Sequence, residues 1–457
     1  MLLRIGIRPF WICAVLTAAI LAGAGEASAV PSYARQTGLP CSSCHTTIPE
    51  LTPFGRSFKL NGYTMNSLKQ ISEQGGGSKA GLNLNTYLPL SAFFQVSNTV
   101  GQKPQPGTQN DSFEFPQMAS LFLAGAFSKH IGGFVQVTYD GQADHFSWDN
   151  TDVRYANTGS IGGKSVVYGF TLNNNPGVED LWNSTPAWGF PWVSTDVPPS
   201  PVAATIIDGT LAQDVAGVGA YTMLDDHFYV DFSVYRSEHI GGSQPNSGVD
   251  PTGAPFSYNI RGLAPYWRLA WQQTEGNNYF MVGTYGIHMA SSPGIVTGPM
   301  QDFYTDVAAD IQYERVLPSF HNDIITIHST YIHESSELNA TAFALEDPLV
   351  NHNLQTFKID GVYHFGNRYS ATIAGFKTWG TTDPLLYTQA SLTGSANGNP
   401  LTDGYVAGFS YWPVQNLQLG LQYTGYLHFN GLEKNYDGAG RNADGNNSLY
   451  MVVWIVF

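Results

Sequence analysis

The 457-residue sequence contains only three cysteines, which rules out a disulfide scaffold. Charged side chains make up 12% of it, against roughly 25% in ordinary soluble domains. That scarcity argues against a cytosolic α/β enzyme. Basic residues (20) are well outnumbered by acidic ones (35), and they form no tract. Nucleic acid is therefore excluded as a partner. Beyond the first thirty residues no apolar run reaches the ~20 residues of a transmembrane helix. No Ser/His/Asp set, P-loop or zinc-type spacing occurs, so no hydrolytic chemistry is expected. What abounds is glycine, 49 in all, and aromatic residues, at 13%. Gly/Asn/Asp/Pro-rich gaps between aromatic segments are the composition of an all-β membrane barrel.

Residues 1–29 have the build of an export signal. Arg4 and Arg8 form a basic start, 10–24 an apolar core, and Ala27-Ser28-Ala29 a cleavage site. Cys13 lies in that core and is lost with it, so an exported chain keeps only Cys41 and Cys44. Residues 30–80 form a small domain of different character, closed by the Gly-rich linker Glu73-Gln74-Gly75-Gly76-Gly77-Ser78. Residues 81–457 alternate like strands.

The two remaining cysteines sit in Cys41-Ser42-Ser43-Cys44-His45. C-x-x-C-H is the attachment sequence of a c-type haem. The thiols bond to the haem vinyl groups, and the adjacent imidazole becomes the proximal iron ligand. The alternative is a C-x-x-C disulfide formed on export, or a chance match. Downstream, Thr52 reads as a helix N-cap with Pro53 at the first position and Gly62 past the end. Phe54 and Phe58 share a face of that helix and suit packing on the haem. Arg56 and Lys59 are either partners for haem propionates or ordinary solvated cations. No second His lies between 30 and 80, and Met65 is the only Met there. Met65 is therefore the sixth-ligand candidate within the domain, where it would raise the haem potential. Otherwise it is core filler, and a barrel residue or water binds the iron.

Sixteen strand-like segments fall near 87–100, 113–127, 133–146, 152–160, 165–173, 209–222, 227–239, 258–273, 279–290, 302–314, 323–334, 354–364, 368–379, 403–412, 417–430 and 448–457. Tight connections such as Gly162-Gly163 and Asp225-Asp226 alternate with long ones such as 174–208 and 381–402. That is the rhythm of an outer-membrane barrel with short periplasmic turns and long outer loops. An even count puts both ends of the barrel in the periplasm. In 417–430, Leu419, Leu421 and Leu427 face one way, while Gln418, Gln422 and Thr424 face the other. This is apolar-out, polar-in alternation. The sequence ends on an aromatic strand closed by Phe457, as barrel-assembly signals do. A fifty-residue domain of roughly 10 Å radius of gyration fits the lumen of sixteen strands as a plug. Asp140, Asp144, Asp231, Asp302, Asp306, Asp310 and Asp360 share the expected lumen face, as do His288, His328 and His428. Carboxylates suit hydrated divalent cations such as Fe(II), although polar lumen lining is the plainer reading.

The run Ala34-Arg35-Gln36-Thr37-Gly38-Leu39-Pro40 before the haem motif, with Pro49-Glu50-Leu51-Thr52-Pro53-Phe54-Gly55-Arg56 and Phe58-Lys59-Leu60-Asn61-Gly62-Tyr63 after it, resembles the fused monohaem cytochrome–porins of the bacterial outer membrane. The resemblance implies one covalent haem c on Cys41, Cys44 and His45 and a sixteen-stranded barrel. It implies an iron:cytochrome c oxidoreductase-like activity, in which extracellular Fe(II) supplies electrons to a periplasmic c-type cytochrome or cupredoxin. Members from organisms not known to oxidise iron leave a non-iron donor open. A solute porin with a redox-sensitive haem plug is the further alternative. The expected architecture is thus an all-β transmembrane barrel in outer-membrane lipid, with a small α-helical monohaem cytochrome c plug.

Overall fold

A computed structural model describes residues 32–47, 50–65, 70–73, 82–109, 111–184, 194–237, 258–293, 300–366 and 368–457. The expected export signal and most of the Gly-rich linker lie outside them. Period-two alternation in the long carboxy-terminal part folds as one antiparallel sheet. Its segments are β3 (Leu90–Gly101), β4 (Asp111–Ala126), β5 (Ile131–Asp140), β6 (His145–Ile161), β7 (Lys164–Asn173), β8 (Val215–Leu224), β9 (Phe228–Ser237), β10 (Tyr258–Arg261), β11 (Ala264–Glu275), β12 (Asn278–Pro293), β13 (Asp302–Leu317), β14 (Asp323–Glu337), β15 (Asn351–Phe365), β16 (Tyr369–Gly380), β17 (Thr402–Val414), β18 (Leu417–His428) and β19 (Ser448–Val456). A short hairpin, β1 (Gln70–Glu73) with β2 (Leu82–Asn85), precedes them.

β10 and β11 both pair with β12 and are one strand interrupted at Gly262 and Leu263, where Gly262 takes φ +76°. The seventeen sheet segments therefore make sixteen staves. The sheet closes on itself, because β19 pairs with β3 and β11 with β9. Closure removes every edge, so the backbone is satisfied without water, as a hydrocarbon environment demands. Leu121, Phe170, Phe232, Leu269, Ile373 and Leu421 stand exposed on the outer wall, a lipid-facing apolar surface. This is a membrane-spanning barrel of the bacterial outer-membrane type.

Three departures from the expected pattern stand out. The third strand stops at Asp140 and the fourth starts at His145, so 141–144 is a tight turn at the long-loop rim. The sixth strand begins at Val215, because 206–210 forms a π-helical turn instead. The alternation also inverts on β12. Met281, Tyr285, Ile287 and Met289 point inward and are fully buried. Ile206, Ile207 and Leu211 of the 174–214 connection pack on that wall, so the connection enters the barrel. An apolar inner face is stable there because it never meets water.

The N-terminal residues form three short helices, α1 (Ser32–Thr37), α2 (Cys41–Cys44) and α3 (Pro53–Leu60). They lie against inward-facing residues near the rim of short turns. Ser32 Oγ donates to the Ala124 carbonyl at 2.5 Å, and Tyr33 Oη donates to Gly133 at 2.8 Å. Tyr63 Oη donates to Asp152 at 2.6 Å, and the Tyr221 hydroxyl donates to the Leu60 carbonyl at 2.9 Å. Tyr33 stacks on Tyr63 at 5.7 Å, and Phe134 of β5 meets Tyr63 edge-on at 5.9 Å. Leu60 shares a buried cluster with Leu181 and Trp182 of the inward connection. The helices and the connection thus fill adjoining levels of the same lumen.

Candidate functional site

The C-x-x-C-H residues are held by α3. Thr52 caps that helix, accepting from Gly55 N at 3.1 Å, and its hydroxyl donates to the Ser43 carbonyl at 2.6 Å. Thr52 N donates to the Cys44 carbonyl at 2.9 Å. Gly55 stands so close that a Cβ there would run into the Cys44 carbonyl oxygen. The helix seats on the motif only because position 55 has no side chain. Cys41 N donates to the Gln415 side chain at 2.9 Å, which pins the motif to the β17–β18 turn at the barrel rim.

Both cysteines are free thiols and half-buried on a single helical turn. His45 follows in extended conformation, and its Nδ1 lies 3.3 Å from the Glu50 carbonyl oxygen. With Nδ1 donating to that carbonyl, Nε2 carries the ring's lone pair, which is the tautomer a metal-binding histidine needs. The donor set therefore fits a covalent c-type haem. Met65 lines a cavity of about 330 Å³ with Phe54, Phe58, Lys129 and His130, and Cys41, Cys44 and His45 are not among its walls. Phe54 and Phe58 do share a face, as expected, and it is the Met65 cavity that they share.

Arg56 and Lys59 are not solvated. Both are about 5% exposed. Arg56 forms an ion pair with Glu314 of β13, donates to the Leu51 carbonyl at 2.8 Å, and lies 4.2 Å over the Tyr279 ring. These charges hold the guanidinium pKa above its ordinary value despite burial. Lys59 Nζ donates to the Asp180 carbonyl at 2.7 Å. Burial and the nearby Arg154 push its pKa down to about 7, against the opposing pull of Asp152, Asp180 and Glu179. Amphipathic spacing could not show this, because the partners come from distant strands and from the inward connection.

The acidic row serves mainly as anchorage. Asp306 accepts from Ile207 N at 2.8 Å and fixes the inward connection. Asp310 pairs with buried Arg268 at 2.7 Å and accepts from Ser184 Oγ at 2.5 Å. Asp302 accepts from Ala340 N at 2.7 Å and Thr341 N at 3.1 Å, at the start of α4 (Asn339–Leu345). Asp231 is buried in the lumen beside Ser233, 3.0 Å away. Asp144 belongs to the tight turn, and Asp140 ends β5 with its carboxylate accepting from Gln142 N at 2.8 Å. His288 projects from the outer wall rather than into the lumen and bonds Thr305 at 2.8 Å. His428 pairs with Asp403 at 2.8 Å near the outer loops.

Of those lumen candidates, His328 reaches the N-terminal domain at Glu50, and Asp360 stands behind it. His328 Nδ1 is 3.0 Å from Asp360 Oδ1, and its Nε2 is 3.9 Å from Glu50 Oε1. His364, which the sequence reading did not single out, places Nε2 at 3.2 Å from Glu50 Oε2 and Nδ1 at 3.2 Å from Thr47 Oγ1. Burial alone would raise the Glu50 pKa. The facing His364 and then His328 outweigh it and hold the carboxyl at about 2. Above this cluster a cavity of about 400 Å³ runs up the wall formed by β14 to β19. Its lining includes His328 and Asp360 below and Thr402 and Ser448 at the outer ends of their strands.

No family model matches the sequence, and no curated protein does. Among solved structures, the outer membrane channel DcaP of Acinetobacter baumannii is similar, with a TM-score of 0.46 and 13% identity over 84% of this chain and 100% of that one. The anion-selective porin of Comamonas acidovorans gives a TM-score of 0.45 and 10% identity, over 80% of this chain and 98% of its own. Salmonella typhi OmpF, in complex with daunomycin, gives 0.44 and 12%, over 85% and 100%.

Proposed function

We propose that this barrel is an outer-membrane electron conduit, with a monohaem cytochrome c domain seated in its periplasmic mouth and extracellular Fe(II) as its donor. The observation that carries the reading is the build of 41–55. Two thiols share one turn, the His45 ring is oriented through Nδ1 by a carbonyl, and glycine at 55 lets a capped helix close over them. Cys41 and Cys44 would hold haem c through thioethers and His45 would ligate its iron, with Met65 the candidate for the sixth position. Bound there, the haem would supply a one-electron redox centre, which matches the single electron of Fe(II). The chain's own part is positional. Arg56, Tyr63 and Lys59 lock the domain to β13, β6 and the inward connection, so that the motif stays at the rim where a periplasmic c-type cytochrome or cupredoxin can reach it. The inward connection and the helices occupy the lumen above, which supports passage of electrons rather than of bulk solute.

A second reading is a solute porin whose N-terminal domain is a redox-sensitive plug. The cavity of about 400 Å³, walled by Ser, Thr and Lys side chains on one side of the lumen, favours it. Reconstitution separates the two. Proteoliposomes carrying the holoprotein and a trapped cytochrome c should reduce that cytochrome when Fe(II) is added outside, while planar bilayers stay electrically closed. Open, ion-conducting channels without reduction of the trapped cytochrome would favour the porin. No reduction with any external donor would remove the conduit.

A further inference from the structure

The cluster of Glu50, His328 and His364 is built like a metal site. Two imidazoles and one carboxylate converge there, the donor set that holds non-haem Fe(II). His364 Nε2 lies 3.2 Å from one Glu50 oxygen and His328 Nε2 lies 3.9 Å from the other. Two donors that share a first-row metal at about 2.1 Å each stand roughly 3.0–3.4 Å apart. The first pair already has that spacing, and the second needs only a small inward shift.

The outer surroundings agree. Each ring is held through its other nitrogen. The Asp360 carboxylate lies 3.0 Å from His328 Nδ1, and the Thr47 hydroxyl lies 3.2 Å from His364 Nδ1. A carboxylate behind a histidine is the usual second support of a metal ligand, since it fixes the tautomer and aims Nε2. The three donors and Asp360 are all less than 8% exposed. Glu50, Asp360 and the nearby Glu314 make the site acidic, and Arg56 offsets Glu314.

The lumen cavity adjoins the cluster. His328 and Asp360 line the lower part of the cavity that reaches the outer strand ends at Thr402 and Ser448. His328 lies five residues from the periplasmic end of β14, roughly 16 Å along the strand. An ion from the outer face would thus meet the cluster before the haem motif. Glu50 joins the two places, because its carboxylate faces the histidines and its carbonyl oxygen lies 3.3 Å from the His45 ring.

We infer that Glu50, His328 and His364 form a binding site for a divalent first-row transition-metal ion at the inner end of the lumen cavity. The inference rests on the conduit reading above, in which the ion would be the donor Fe(II), and it names where that ion is held.

Redox-inert Zn(II) tests the site apart from electron transfer. The purified holoprotein, dialysed against Zn(II), should retain one equivalent per chain. Glu50→Gln and His364→Gln should each weaken binding by at least a hundredfold. Asp360→Asn, which leaves all three donors in place, should weaken it ten- to a hundredfold. It also serves if the other two variants fail to fold, because it lies on the barrel wall. The same Zn(II) should slow reduction of the holoprotein by Fe(II). A wild type that retains no Zn(II), or binding unchanged in Asp360→Asn and in whichever other variant folds, overturns the inference and leaves the cluster a set of ion pairs. Reduction by Fe(II) without Zn(II) binding would remove the site and keep the conduit. Zn(II) binding without reduction by Fe(II) would keep the site and remove iron as the donor.

Discussion

Replacing Arg56 with Met separates the N-terminal domain from the barrel at one point. In the wild type its guanidinium is about 5% exposed, pairs with Glu314, donates to the Leu51 carbonyl and covers the Tyr279 ring at 4.2 Å. Removing one partner of a buried ion pair costs about 3–5 kcal/mol, because the other is left uncompensated. Glu314 keeps a donor in Gln312 Nε2 at 2.5 Å, and its side chain is 13% exposed. The lower end of that range, about 3 kcal/mol, is therefore expected. At tenfold for every 1.4 kcal/mol, the population with the helices unseated rises roughly 150-fold. Proteolysis from the periplasmic side of oriented proteoliposomes reads that population when cleavage is slow relative to reseating. Cleavage within 32–65 should accelerate by about two orders of magnitude, while the barrel stays intact. Adding Glu314→Gln should recover part of the loss, since removing both members of a buried pair costs less than removing one. Wild-type cleavage rates in Arg56→Met, or a double variant worse than the sum of the singles, would refute the seating described.

Gly55→Ala should lower haem content per chain severalfold without unfolding the barrel, because the added methyl meets the Cys44 carbonyl and lifts α3 from the motif; haem absorbance per protein, with barrel heat-modifiability as control, checks it. Lys59 has a pKa of about 7 in place, against an ordinary 10.5. Between those values the unseated form binds more protons, so seating should strengthen as pH rises from about 7 to about 10, and be flat with respect to Lys59 below 7. Protease resistance of 32–65 should follow that slope in the wild type and lose it in Lys59→Met. Met65→Ala should alter the near-infrared and magnetic dichroism bands of the ferric protein; unchanged spectra would assign the sixth position elsewhere and leave Met65 as lining of its cavity.

The barrel was legible because alternation and turn residues are local. The 417–430 segment places Gln422 and Thr424 on the lumen wall, and Thr52, Pro53 and Gly62 cap and end α3 where their chemistry indicates. One segment was not legible. The 174–214 connection turns inward, which makes β12 apolar on its lumen face and gives Asp306 and Asp310 structural partners. Nothing local marks a loop as inward-folding. The burial of Arg56 and Lys59 was hidden for a similar reason, since their partners lie more than a hundred residues away. His364 was passed over because it sits one residue from the end of β15, and only the fold brings Glu50 to it.

The visible spectrum of the purified, detergent-solubilised protein, taken before and after anaerobic addition of Fe(II), decides whether this barrel carries iron-derived electrons. One covalent c-type haem per chain is expected, with a narrow ferrous α-band that grows to one reducing equivalent per haem. Cys41→Ala/Cys44→Ala should assemble its barrel and hold no haem at all. Purified wild type without covalent haem, or a haem that Fe(II) leaves fully ferric at both acidic and neutral pH, would contradict that reading.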